Sequence, residues 1–374
     1  MASGALERSR VNVAPVRRRR PWWGLLLPWV VAALLLAVVP RGSPSIPKLA
    51  APETGFGGYT WSDAAVSSVS AQWTVPAIIL GSPAGSASTW VGAQNVAGGY
   101  PFVQLGTIEE TDGVNFPLYF AFWSDTAVSF HAQEMLSVSS GDKVVATMTE
   151  GSNGWSLGFA DLTNGSHVTR HIAYGPGAYY SEAEWIQEDP SPDEKIAAQD
   201  VPYPDMSGVS FTHLLVNDQA PRLGLADGQT MMTSDGRWWA PSPVRDDSFH
   251  VAEPTGYAHE YLHDSTPAVR ALSGFYAALN TWPSLRQPAR SAIVEALSSA
   301  YSKFTAGLRS EHWPSALHGT IVAVTDQNSA IESDLREWGR DHYSEGNHDF
   351  TALLNDMDGT EDTAARAALG LPPV

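Results

Sequence analysis

The sequence predicts an all-β fold, an antiparallel β-sandwich, preceded by an N-terminal transmembrane helix and followed by an α-helical C-terminal region. Three observations predict it. Short segments of period-two alternation recur between about residues 56 and 252, an uncharged apolar run follows four arginines near the start, and apolar residues recur at three-to-four spacing after residue 252.

The apolar run is WWGLLLPWVVAALLLAVV, residues 22–39, directly after Arg17, Arg18, Arg19 and Arg20. With its flanking prolines it is about twenty residues, enough for a helix to cross a hydrocarbon core of about 30 Å. The arginines, with Arg8 and Arg10, stay on the cytoplasmic side, which places everything after Arg41 outside. Residues 1–20 are then a basic cytoplasmic tail and residues 21–40 a signal anchor at the cell membrane. Cleavage after a small-residue site near Leu49-Ala50-Ala51 would instead give a secreted protein. Residues 41–55, rich in Pro, Ser and Ala, read as a linker.

Within the sandwich, residues 56–252, the segments VSAQWTV (69–75) and WSLGFAD (155–161) alternate apolar and polar residues as half-buried strands do. Asn164-Gly165 supplies a hairpin turn and Gly141-Asp142 another, ahead of a strand from Lys143 to Met148. The segment YSEAEWIQED (180–189) alternates as well, with Glu184, Ile186 and Glu188 on one face and Ala183, Trp185 and Gln187 on the other. In the last region, residues 253–374, Ile293, Leu297, Ala300, Tyr301, Phe304 and Leu308 form one helical face. Pro267 and Pro288 suit helix starts, and residues 330–338 and 350–357 read as further amphipathic pieces of a separate helical domain or a cap.

Composition narrows the chemistry. With 22 Lys and Arg against 40 Asp and Glu, the net charge of −18 excludes nucleic acid as a partner, because phosphate contacts need clustered cations. There is no cysteine, so thiolate ligands, cysteine nucleophiles and disulfides are excluded.

Two constellations remain. HEYLH, residues 259–263, matches the pattern in which His259 and His263 hold zinc on one helix face while Glu260 activates water. Pro254 and Gly256 before it and Pro267 after it predict a helix of barely two turns, and a third ligand would have to be Glu295 or His312. A short connecting helix with surface histidines explains the same residues. The second constellation is Glu184 and Glu188, which a strand rise of about 3.3 Å per residue separates by roughly 13 Å. That exceeds the carboxylate separation of about 6.5 to 9.5 Å in inverting glycosidases, so a working partner must come from another strand.

A series of motifs supplies that strand. SAQWTVP (70–76), TWVG (89–92), VQLGT (103–107), YFAFW (119–123), SSGDKV (139–144), LTNGS (162–166), AEWIQED (183–189) and VSFTHLLVN (209–217) follow one another in order. In this the chain resembles the glutamic peptidases, the eqolisin (peptidase G1) family, over roughly residues 56–220. The resemblance implies a concanavalin A-like sandwich, a jelly roll of two antiparallel sheets, with a protein or peptide substrate in a groove on one sheet. It implies an acid-acting endopeptidase without cofactor, whose catalytic pair is Gln104 and Glu188 rather than Glu184. Trp90, Gln94, Phe122, Trp123 and Glu184 are candidates to line the groove. The family often has an acidic residue where this chain has Gln94, and an A-W-x-E pattern where it has Ala121-Phe122-Trp123-Ser124. Those departures bear on the acid optimum and the subsites.

The chemistry suits such a pair. A carboxylate near its ordinary pKa of about 4.3 can act as base in acid, where histidine is protonated. A neutral amide can orient the water or donate to the oxyanion. The rival class is a sandwich that binds peptide or glycan without turnover, since fold alone does not give function. The residues 190–207 after Glu188, rich in Pro and Asp, read as a loop over the groove or a surface connection.

Overall fold

A computed structural model of the chain describes residues 55–95, 101–128, 131–173, 179–190, 202–279, 281–340, 343 and 348–373. The expected membrane helix at 21–40, the basic tail and most of the linker lie outside the described residues, as does most of the 190–207 loop. No described helix is long and apolar enough to cross a membrane.

Fifteen strands build two antiparallel sheets. The first sheet runs β12 (Gly228–Gln229), β1 (Phe56–Trp61), β10 (Glu182–Glu188), β3 (Gly85–Gln94), β4 (Phe102–Thr111), β5 (Leu118–Asp125), β6 (Gln133–Ser137). The second runs β13 (Met231–Met232), β14 (Trp238–Pro241), β15 (Phe249–Ala252), β11 (Val209–Val216), β2 (Ser68–Thr74), β7 (Lys143–Gly151), β8 (Gly154–Asp161), β9 (His167–Ala173).

Alternation fixes which side chains face inward. Val69, Ala71 and Trp73 of β2 and Val144, Ala146 and Met148 of β7 meet Val91, Leu105 and Trp185 of the first sheet in one buried core. Phe211 stacks on Phe249 at 5.0 Å, and Tyr59 meets Phe249 edge-on at 4.8 Å. Each fully buried apolar side chain of this size contributes about 1.5–3 kcal/mol relative to exposure. With no disulfide, this packing carries the sandwich.

The β8–β9 connection is a five-residue loop rather than a two-residue turn. Asp161 is buried and accepts from the Thr163 backbone and the Asn164 side chain, and Gly165 takes a φ of +81° that glycine tolerates. The side chain of Asp161 thereby organises the loop that Asn164-Gly165 alone suggested.

The C-terminal region is helical, as expected: α1 (Gly256–Leu279), α2 (Gln287–Ser310), α3 (Ser315–Arg340), α4 (His348–Asp356) and α5 (Thr360–Ala368). Pro288 does open α2, but Pro267 lies inside the 24-residue α1 rather than at a helix start. The missing Pro267 N–H removes the ladder donor to the His263 carbonyl, and one residue earlier the Ser265 and Thr266 hydroxyls both donate to the Leu262 carbonyl. The helices share a core in which Trp282 and Trp338 stack at 5.2 Å. They also touch the sandwich: Leu262 and Leu371 pack on Trp238, whose indole donates to Thr266. Buried Arg366 donates to the Pro372 carbonyl and to Thr230, with its guanidinium over the Trp238 ring.

Candidate active site

The first sheet buries one face against the second sheet and carries a separate apolar cluster on the other. Trp90, Ile108, Phe122 and Ile186 form that outer cluster, with Phe56, Phe102 and Phe120 against it. The period-two rule places these residues on the same face as Glu184, Glu188, Gln94 and Gln104. Trp90 and Phe122 thus lie on the candidate site's face. Trp123 does not: it is one residue out of phase, opposite Leu105, and packs against the core between the sheets.

Register decides which polar groups meet. Across three strands, Glu184 of β10 is opposite Gly92 of β3, and Gly92 is opposite Gln104 of β4. Ser124 of β5 continues the row beside Gln104. Two strand spacings put the Glu184 and Gln104 α-carbons about 10 Å apart, with only a glycine between. Glu188 instead pairs with Ser88, whose neighbour on β4 is Ile108. Four residues of rise and two strand spacings put the Glu188 and Gln104 α-carbons about 16 Å apart along the diagonal of the sheet. The register places Glu184 in the row of Gln104, and Glu188, of the expected pair, one row further along the same face. Alternation within one strand puts both glutamates on the face, and the offset between strands sets which of them shares a row with Gln104.

Trp90 divides the two carboxyl groups. Its Nε1 donates to Glu188 Oε2 at 2.7 Å, while the far edge of its indole covers Gly92. A β-carbon at Gly92 would sit 2.7 Å from the Trp90 ring and 3.2 Å from the Val103 carbonyl oxygen.

Around Glu184 the polar contacts are few. Gln94 Nε2 donates to Glu184 Oε1 at 2.7 Å and to Glu182 Oε1 at 2.7 Å. Gln104 Nε2 donates to Ser124 Oγ at 2.7 Å. Glu184 and Gln104 are each 5% exposed, and among the described residues neither Glu184 Oε2 nor Gln104 Oε1 has a hydrogen-bond partner. A buried acceptor without a donor costs free energy unless a water or a ligand serves it.

Both glutamates hold their protons above the ordinary carboxylate range. Burial, followed by repulsion from Glu182 and then Glu188, pushes Glu184 well up, and the Gln94 hydrogen bond opposes this. Burial pushes Glu188 up to about 7 against the lowering effect of the Trp90 and Ser88 hydrogen bonds. Beneath the site, burial also raises Glu109, which faces the core and accepts from Thr107 and Thr89.

The zinc alternative finds little support in the geometry. His259 and His263 are exposed on α1 and stack 6.1 Å apart, one turn from each other, with Glu260 between them in sequence. Among the described residues no group of three or more His, Asp or Glu side chains is placed to hold a metal ion. The helix itself runs much longer than two turns, so its length does not argue against the pattern; the missing third ligand does.

No curated protein matches the chain. Among solved structures, scytalido-glutamic peptidase with a peptide-based transition-state analogue is 21% identical, covering 54% of this chain and 99% of its own at a TM-score of 0.44. SCP-B, described as a member of the eqolisin family in complex with the tripeptide Ala-Ile-His, is 22% identical over 54% and 99%, TM-score 0.42. Aspergilloglutamic peptidase from Aspergillus niger is 24% identical over 46% and 99%, TM-score 0.37. The sequence model of the Peptidase A4 family matches residues 54–251, more than half of the 374 residues. That match covers every strand of both sheets except the last residue of β15, and by it the chain belongs to the Peptidase A4 family, as a glutamic-type endopeptidase and hydrolase.

Proposed function

We propose that Glu184 and Gln104 carry out metal-independent hydrolysis of peptide bonds, with Glu184 as general base and then acid. The observation that supports this reading is the pair of buried, unpartnered acceptor oxygens, Glu184 Oε2 and Gln104 Oε1, on either side of Gly92. Water has two hydrogens, and one donated to each oxygen leaves its lone pair free for a carbonyl carbon. As the oxygen–carbon bond forms, ionised Glu184 takes one proton, and the carbonyl oxygen becomes an oxyanion. Gln104 Nε2 gives one hydrogen to Ser124 and retains a second for that oxyanion. Collapse breaks the carbon–nitrogen bond, and the proton on Glu184 passes to the leaving amine. Trp90 and Phe122 supply an apolar floor beside the reacting row.

The raised pKa of Glu184 moves the expected working range. Glu184 must be ionised to act as base, so activity rises with pH through a point above the ordinary carboxylate value. We infer an endopeptidase of weakly acidic rather than strongly acidic medium, acting outside the cell. Residues 56–252 form its peptidase domain, and residues 21–40 anchor it.

The test is cleavage of an unfolded protein by the full chain with EDTA present, from strongly acid to neutral pH, for the native sequence and Gln104→Leu. The reading expects EDTA-resistant cleavage that falls about 10² to 10³-fold in kcat in the variant, the usual cost of one oxyanion donor. Cleavage abolished by EDTA would return the chemistry to His259 and His263. Peptide binding without turnover would make the sandwich a binding module.

A further inference from the structure

The described surface exposes an apolar patch at one end of the first sheet: Ile79 and Leu80 on the loop from β2 to β3, and Val114, Phe116 and Leu118 where β4 turns into β5. Leu80 is 90% exposed, and Val114 and Phe116 are each 88% exposed. The two loops lie against each other: a β-carbon at Gly113, where φ is +74°, would sit 2.9 Å from the Ala84 backbone nitrogen. Both loops are held by hydrogen bonds. Asp112 Oδ1 accepts from the Val114 and Asn115 backbones at 3.0 and 2.7 Å, and the Ile79 N–H donates to the Asp205 carbonyl at 2.7 Å. The backbone thus keeps the apolar side chains outward, which costs free energy in water unless something covers them.

Shape, charge and chain direction together identify the cover. A peptide subsite is concave and encloses much of its side chain, whereas Leu80, Val114 and Phe116 project almost fully, as suits a flat and soft surface. Residues 75–84 carry no charge and residues 112–117 only Asp112, so the contact is apolar rather than a basic patch for anionic headgroups. The chain also enters the sandwich here. β1 begins at Phe56 opposite Glu188, Glu188 lies opposite Ser88, and three residues before Ser88 Gly85 pairs with Thr111, the last residue of β4. Gly55 and both loops therefore share one end of the first sheet. Residues 40–54 join that end to the apolar run 22–39 and span at most about 50 Å when extended.

We propose that the loop tips at Leu80, Val114 and Phe116 dip into the lipid surface beside the anchor, as a second membrane contact of the peptidase domain. This inference rests on residues 21–40 being that anchor. A few apolar side chains bind a bilayer weakly on their own, but a tethered domain meets the surface at high effective concentration, and two attachments fix an orientation where one does not. With this end down, the Glu188 end of the outer face lies nearest the lipid. Polypeptide at the membrane surface is then the substrate best placed to enter the groove.

The chain has no cysteine, so one introduced thiol carries an environment-sensitive fluorophore alone. The experiment labels Leu80→Cys, Phe116→Cys and, beyond the opposite end of β1, exposed Asp63→Cys, each in the full chain reconstituted into phosphatidylcholine vesicles. The inference expects the labels at 80 and 116 to shift to the blue, to be quenched by spin-labelled phosphatidylcholine, and to be several-fold less open to aqueous iodide than the label at 63. Adding Leu80→Ser and Val114→Ser to the Phe116→Cys chain should abolish the lipid quenching at an unchanged melting temperature; if that variant does not fold, the three single labels decide without it. Labels at 80 and 116 as open to iodide as the one at 63, in a chain that floats with the vesicles, would overturn the membrane contact and leave the anchor in place. Shielding from iodide without lipid quenching would overturn it in favour of a second copy of the chain. A chain that does not float with the vesicles would overturn both the contact and the anchor.

Discussion

Gln104 keeps the same charge at every pH, and Glu184 does not. Their roles divide along that line: the amide can hold a water and an oxyanion throughout the reaction, while the carboxyl group has to gain and lose a proton. Burial makes the carboxyl group the sensitive partner. It sits in an environment that opposes ionisation, so a change of one neighbouring hydrogen bond moves its titration rather than its fold. Glu188 titrates near neutrality, up to about 7, yet both donors on it, Ser88 and Trp90, hold it to the far side of the indole. This is also where the sequence was hardest to read. VQLGT and AEWIQED identify the two strands and the correct face, but the choice between Glu184 and Glu188 lies in the offset between β10, β3 and β4, which no single strand contains. Trp123, expected in the groove, turns inward for a related reason: it is one residue out of phase with Phe120 and Phe122, and its pairing with Leu105 puts it on the core side.

At the scale of the element, β3 is the strand on which the site depends. Gly92 separates Glu184 from Gln104, and the Trp90 ring fills the space that a side chain at Gly92 would take. Gly92→Val is expected to push Trp90 off the strand, costing about 1–3 kcal/mol of stability, typical of overpacking. Because the displaced ring also moves toward the reacting row, activity should fall by more than the loss of folded protein explains. Paired denaturant and kinetic measurements check this. Helix α1 teaches the opposite lesson about legibility. A proline is a strong stop signal in sequence, yet burial of Tyr261, Leu262 and Phe275 carries the helix through. Apolar periodicity, by contrast, identified the buried face of α2 almost residue for residue, since that pattern is what packing selects.

For the whole molecule, the buried carboxyl groups couple stability to pH. Glu109, Glu184 and Glu188 all bind their protons more tightly in the folded chain than at the ordinary value of 4.5. The folded state therefore holds more protons above that value, and stability, full below about pH 4.5, falls as pH rises toward and through about 7. Thermal unfolding followed from weakly acid to neutral pH should give a declining midpoint, and Glu109→Gln, which removes a buried charge from the core, should flatten the decline. The same rise in pH ionises Glu184, so activity and stability change in opposite directions across this window. The helical region is tied into the same body. Arg366→Met removes the bonds to Thr230 and to the Pro372 carbonyl, and is expected to cost about 1–3 kcal/mol for the buried polar groups left unpaired. Limited proteolysis of the variant should then cut the helices before the sandwich. Composition and strand motifs made the sandwich and its class legible, whereas the contact through Arg366, Trp238 and Leu371 joins residues more than a hundred positions apart and leaves no local pattern.

The central claim is that Glu184, rather than Glu188, is the base opposite Gln104. The most direct measurement compares cleavage of an unfolded protein by Glu184→Gln and Glu188→Gln, each with its melting temperature, in EDTA at the native optimum. The account predicts that Glu184→Gln loses at least about 10² to 10⁴ in rate, the worth of a general base, while staying folded, and that Glu188→Gln continues to cleave. An inactive Glu188→Gln beside an active Glu184→Gln would contradict it.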